Sequence, residues 1–150
     1  YMAEFVEEKT NLKGVGKYIT LLLEIDAFFL NEDRHTNNLA IIRNDESGIY
    51  SFCPVFDNGL ALLADTEVDY PLIGDIYKMI GRVKAKPFDT GFLEQMEAAE
   101  TIYGSQLHLT FSKNDVEEAV STIRPYYCDD ICDRISMIIF EQMRKYQIFF

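Results

Sequence analysis

From residue 30 to residue 63 the chain sets two polar islands, NEDRHTNN (residues 31–38) and FDNG (residues 56–59), into otherwise apolar sequence. A buried polar group without a partner costs a few kcal/mol. Asp33, Arg34, His35, Asn37, Asn38, Asp57 and Asn58 are therefore either loop residues satisfied by the backbone or residues that hold something. The sequence between them bears on the choice. Residues 39–43 and 49–53 are β-type runs around the turn cluster NDESG, with Gly48 available for positive φ. A hairpin here puts one island just before its first strand and the other just after its second, so the two are expected to meet.

Helical patterns surround this hairpin. Residues 16–30 carry apolar side chains at the three-and-four spacing of a buried helix, ending near Asn31, where short polar side chains compete for backbone hydrogen bonds. PLIGDIYKMIGRV is predicted helical from Pro71, and FDTGFLEQMEAAETIYG is a further helix closed by Gly104. LHLTF reads as a short extended piece. Ser112 to Asp115 form a capping box opening NDVEEAVSTI. Pro125 ends that helix, and a last one follows with Ile131, Ile135, Ile138, Ile139 and Met143 on one stripe. The expected fold is a single domain over residues 1–150, mainly α with a small β-hairpin.

A net charge of −11 opposes both a nucleic-acid groove and an anionic membrane surface. Neither is expected as a partner, and Arg82, Lys84 and Lys86 read as a solvated loop. No apolar run reaches the roughly 18 to 20 residues of a membrane span. Cys53, Cys128 and Cys132 are an odd set without a CxxC pair, which fits a reduced, cytoplasmic protein. Zinc is not expected, since only His35 and His108 could join them, and acidic neighbours disfavour a reactive thiolate at Cys128 or Cys132. The glycines of KGVGK, residues 13–17, match no phosphate-binding pattern and read as a helix-entry turn. Glu7, Glu8, Asp45 and Glu46 read as solvated charge, His108 as a partly exposed residue, and KYQIFF as helix packing.

Asp33, Asn38 and Asp57 offer two carboxylates and an amide oxygen, the hard donor set that Mg²⁺ takes together with water and phosphate oxygens. Singly, each could cap a turn. Together their order is more specific: an Asp, an Asn five positions later, a hairpin, then D-x-G, which is the arrangement of phosphoryl-transfer catalytic and metal-binding loops.

The loop N-x-D-R-H-x-x-N at residues 31–38, followed by PVFDNG, resembles that of the HipA-type bacterial serine/threonine kinases, including the CtkA-like members. It resembles more distantly the D-R-H-x-x-N loop of phosphatidylinositol kinases. The likeness covers about residues 22–63 and implies the helical C-terminal lobe of a protein-kinase-like fold, with a catalytic loop at 31–38 and a metal-binding DNG loop at 57–59. By this resemblance Asp33 is the catalytic base, Asn38 and Asp57 ligate Mg²⁺ beside ATP, and Asn31, Arg34 and His35 support the base or orient substrate. A structural bridge from Arg34 to Asp26 or another acid is the favoured reading of that arginine. His35 is read equally as a hydrogen-bonded core histidine or a catalytic participant. Asn58 replaces the Phe of the usual DFG, so no hydrophobic switch is carried over.

Nothing in residues 1–150 supplies a phosphate-covering loop with a Lys for the α- and β-phosphates. The chain is therefore expected to be a lobe of a longer kinase, inactive without its nucleotide-binding N-lobe, whose partner is a protein substrate or a cognate regulatory protein. The alternatives are a lipid kinase, or a catalytically silent pseudokinase or toxin-antitoxin interaction module.

Overall fold

The computed structural model describes residues 1–88 and 91–150. In chain order the elements are α1 (Met2–Thr10), α2 (Val15–Phe29), β1 (Ile41–Arg43), β2 (Tyr50–Phe52), α3 (Ile76–Ile80), α4 (Phe92–Tyr103), α5 (Lys113–Ile123) and α6 (Asp129–Lys145). The fold is mainly helical with one two-stranded antiparallel sheet among the described residues, in the register Ile41 to Phe52 and Arg43 to Tyr50. No described helix is long and apolar enough to cross a membrane.

Helix α2 is the centre of the molecule. Leu22, Leu23, Ala27 and Phe28 are buried, and its main neighbours are α4, α1 and α6. The principal core joins Ala27, Phe28 and Leu30 to Leu63, Met96, Leu107, Ile138 and Phe149. A smaller cluster of Val116, Val120 and Cys132 seals α5 against α6. The C-terminal aromatics pack as expected, with Tyr146 and Phe149 buried near Phe28, although Ile148 stays exposed.

The entry to α2 answers the KGVGK question. Gly14 sits at φ 82 as N-cap, and its N–H and that of Val15 both donate to Glu7 Oε1 at 3.0 Å. The helix N-terminus is thus occupied by the protein's own carboxylate, which suits the partial positive charge there. Glu7 is not the solvated charge its sequence suggested, and α1, which carries it, is a helix that the apolar spacing does not announce.

The exit of α2 is equally well satisfied, and it sets the position of the first polar island. Leu30 turns left-handed at φ 55, and Asn31 N–H returns to the Asp26 carbonyl at 2.9 Å. The buried amide of Gln142 on α6 donates to the carbonyls of Ala27 and Phe28 at 2.9 and 3.0 Å. Leu62 N–H caps the Phe29 carbonyl at 2.8 Å, which ties the chain just beyond the second island to the same helix end.

Three local expectations change. The helix placed from Pro71 is only α3, because Gly74 lies at φ 142 and Asp75 is the true cap, accepting from Tyr77 and Lys78 N–H. The helix placed from Phe88 begins at Phe92, with Phe88 itself outside it; Asp89 and Thr90 of that expectation lie outside the described residues. LHLTF forms no strand; Leu109 N–H instead bonds the Phe149 carbonyl at 2.7 Å. The capping box is formed, with Ser112 and Asp115 bonded reciprocally.

A second buried carboxylate, Glu24, accepts the N–H groups of Gln106 and Leu107 at 2.7 to 3.1 Å, and so fastens the chain after α4 to α2. Glu100 lies beside it. Burial, a hydrogen bond to Glu24 and the Glu24 charge raise the Glu100 carboxyl to about 7 from an ordinary 4.5. Between those two values the folded state holds a proton that the unfolded chain has released, so stability must fall as pH rises through this window. We expect Glu100→Gln to be more stable than the native protein at pH 8 by about 1 kcal/mol and equal to it near pH 5. Urea titrations at both pH values check this; equal midpoints for the two proteins at pH 8 would remove the shared proton.

Candidate active site

Arg34 organises the two polar islands. Its side chain is fully buried, and its Nε and Nη2 each donate to one oxygen of the buried Asp26 at 2.9 Å. Nη1 donates to the carbonyls of Phe56 at 2.7 Å and Asn38 at 3.3 Å, and Nη2 also donates to Asn58 Oδ1 at 2.7 Å. All five N–H donors of the guanidinium are used. One side chain therefore joins α2, the first island and the second, and does so where a flexible ammonium could not.

Asn31 works beside it. Its amide nitrogen donates to Asp26 Oδ1 at 2.9 Å and to Asn58 Oδ1 at 3.4 Å, while its oxygen accepts Asp33 N–H at 3.3 Å. Asn58 is thereby pinned by polar contacts from both Asn31 and Arg34. The favoured reading of Arg34 as a bridge to Asp26 is met, and Arg34 and Asn31 are both buried.

Asp33 is about one-third exposed, and its Oδ1 lies 3.4 Å from Lys86 Nζ. Its carbonyl accepts the Asn38 amide nitrogen at 3.1 Å. That bond uses the donor end of Asn38 and leaves its side-chain oxygen as the group available to a cation. Residues Thr36–Asn38 form a single 3-10 turn that brings Asn38 back toward Asp33. Asp57 is exposed at φ 58, and its carboxylate makes no hydrogen bond or ion pair within the described residues. A non-glycine residue held left-handed costs about 1 kcal/mol or more. His35 is half-buried, and its ring has no hydrogen-bond partner among the described residues, so the core-histidine reading finds no partner to support it.

The hairpin is anchored to α2 through Tyr18, whose hydroxyl donates to the Cys53 carbonyl at 2.7 Å and whose ring stacks on Phe52 at 4.6 Å. Burial raises the Tyr18 pKa, which keeps the hydroxyl a donor. Glu32 is held by the Tyr70 hydroxyl at 2.6 Å, and the Tyr70 pKa is raised by burial and by this contact.

A cation needs oxygen donors that nothing else has claimed. Among the described residues, Asn38 Oδ1, on a side chain that is itself largely buried, and the exposed Asp57 carboxylate accept no hydrogen bond, and both are hard oxygen donors of the type that Mg²⁺ takes. No group of three or more His, Cys, Asp or Glu side chains suited to a metal is present among the described residues. The sequence places Lys86 in a solvated loop and gives no signal for Tyr70, yet they approach Asp33 and Glu32 from more than thirty residues away. No protein-family model, curated protein or solved structure matches the chain.

Proposed function

We propose that this chain carries the catalytic face of a Mg·ATP-dependent phosphotransferase, a HipA-like protein serine/threonine kinase, with the fold of a kinase C-terminal lobe. The observation that carries the reading is the buried Arg34 hub, which ties the Asp33–Asn38 loop to the Phe56–Asn58 loop. Turn-capping alone does not call for a fully desolvated ion pair between the first loop and α2 whose arginine also bonds the second loop, because burying such a pair is costly.

Asp33 is the base. As the acceptor hydroxyl oxygen bonds to the γ-phosphorus and the bond from that phosphorus to ADP breaks, the hydroxyl proton passes to the Asp33 carboxylate. Lys86 orients that carboxylate. Asn38 and Asp57 would hold Mg²⁺, which supplies charge neutralisation at the phosphate oxygens when bound. Arg34, Asn31 and Asp26 are positioning residues. The lobe that contacts the α- and β-phosphates is supplied from outside residues 1–150.

The test is transfer of labelled γ-phosphate. The 150-residue chain alone is expected to transfer none, whereas a polypeptide that also contains a strand-rich, Lys-bearing lobe is expected to phosphorylate itself or a protein on Ser or Thr. Label appearing on phosphatidylinositol instead would replace this reading with the lipid-kinase one. Mg·ATP binding without transfer would favour a silent pseudokinase.

A further inference from the structure

Residues 82–86, Arg-Val-Lys-Ala-Lys, alternate in burial: Val83 and Ala85 are buried, whereas Arg82, Lys84 and Lys86 are exposed. That is the period of an extended strand, and it places three cations on one side of the segment. The segment's place is fixed. The buried Gln95 of α4 donates to the Lys86 carbonyl at 2.9 Å and accepts Phe88 N–H at 3.0 Å, and Lys86 Nζ reaches Asp33.

Two further properties bear on what would lie along it. Among the described residues, the N–H groups of residues 83–86 and the carbonyls of residues 83–85 make no hydrogen bond. Val83 and Ala85 are buried, so the groups that an added peptide strand can reach are the N–H and carbonyl of the exposed Lys84 and the N–H of Lys86. Arg82 and Lys84 make no ion pair within the described residues, although they line a cavity of about 190 Å³ with Glu32, Asp69 and Tyr70. In a chain of net charge −11, unpaired cations beside the candidate base are available to a ligand of opposite charge.

We infer that residues 82–86 are the acceptor-docking edge of the site, binding an extended peptide whose serine or threonine is flanked by Asp or Glu. The peptide adds alongside the free backbone groups, and its acidic side chains meet Arg82 and Lys84 while its hydroxyl lies toward Asp33. This rests on the kinase reading for its purpose but not for its binding. A membrane is the poorer ligand: an extended anionic surface meets the net charge of −11 of the whole chain, whereas a short peptide meets this segment alone.

The test uses the 150-residue chain and a short synthetic peptide with one serine among aspartates, its asparagine counterpart, and phosphatidylcholine vesicles containing a phosphoinositide. The acidic peptide should bind about tenfold more tightly than the asparagine peptide, an advantage that salt weakens, and it should slow hydrogen exchange at the exposed amides of Lys84 and Lys86. R82E/K84E, with both sites exposed, should lose that tenfold advantage, and R82Q/K84Q, which keeps the read-out should the reversed pair fold poorly, should lose most of it. Equal affinity for the two peptides, a preference untouched by both variants, or capture by vesicles alone would each overturn the docking edge. Acidic-peptide binding by a protein that in no context transfers phosphate would leave the edge standing and sink the kinase reading.

Discussion

Asp26→Ala is expected to destabilise the protein by about 3 to 5 kcal/mol, a fall in melting temperature of roughly 10 to 20 °C for a domain of this size. The carboxylate is fully buried and takes two bonds from Arg34 and one from Asn31. Removing it leaves a guanidinium in the interior without its counter-charge, which is far costlier than losing an exposed ion pair. Arg34→Lys should fail as well, since three donors on a flexible stem cannot replace five in a planar fork. The informative companion is Asp26→Leu with Arg34→Met. Replacing both charges by apolar side chains should restore much of the stability without restoring transfer, because the bonds to the Asn38 and Phe56 carbonyls and to Asn58 are gone. Thermal unfolding of the single and double variants yields the coupling energy directly. A loss within about 1 kcal/mol for Asp26→Ala would mean that the hub does not hold the loops.

Asp33→Ala should behave in the opposite way, with transfer reduced by roughly 10² to 10⁴ and stability changed by less than about 1 kcal/mol. Its carboxylate is partly exposed, and its one ion pair, to the half-exposed Lys86, is 3.4 Å long. Asp57→Ala should also abolish transfer. Its own effect on stability should stay below about 1 kcal/mol, because aspartate and alanine both bear the left-handed cost at φ 58. Single-turnover transfer by the active, lobe-complete polypeptide, measured beside unfolding curves, separates these outcomes. If either variant kept more than a tenth of native transfer, Asp33 could not be the base, or Asp57 a metal ligand, respectively.

How much of this is legible in the sequence differs from residue to residue. The α2 pattern, the hairpin around Gly48 and the Ser112–Asp115 cap appear where local spacing and turn chemistry place them, because each depends on neighbours within a few residues. The polar islands are legible as a pair for the same reason, since a short hairpin leaves their ends little choice but to meet. Pro71 misleads because a favourable first-turn residue does not outweigh a glycine at φ 142 three positions later. Glu7 misleads because capping partners seven and eight residues away belong to no local motif. The stripe on α6 packs as its spacing implies, with Ile138 fully buried and Ile135, Ile139 and Met143 against the core. The spacing gives no sign that the same helix also buries Arg134 and Gln142, which bond the carbonyls of Tyr70 and of Ala27 and Phe28.

The sequence by itself determined a mainly helical chain with one hairpin, and it selected Asp33, Asn38 and Asp57 as an oxygen-rich set whose spacing suits phosphoryl transfer. Those properties follow from periodicity, turn residues and intervals along the chain, all of which are local. Only the tertiary structure decided that Arg34 spends every donor inside the protein, that Asn58 is pinned to it, and that Lys86 stands against Asp33 from a distant segment. Burial and charge pairing are set by what the folded chain brings across from elsewhere, so no interval within residues 31–38 could have announced them.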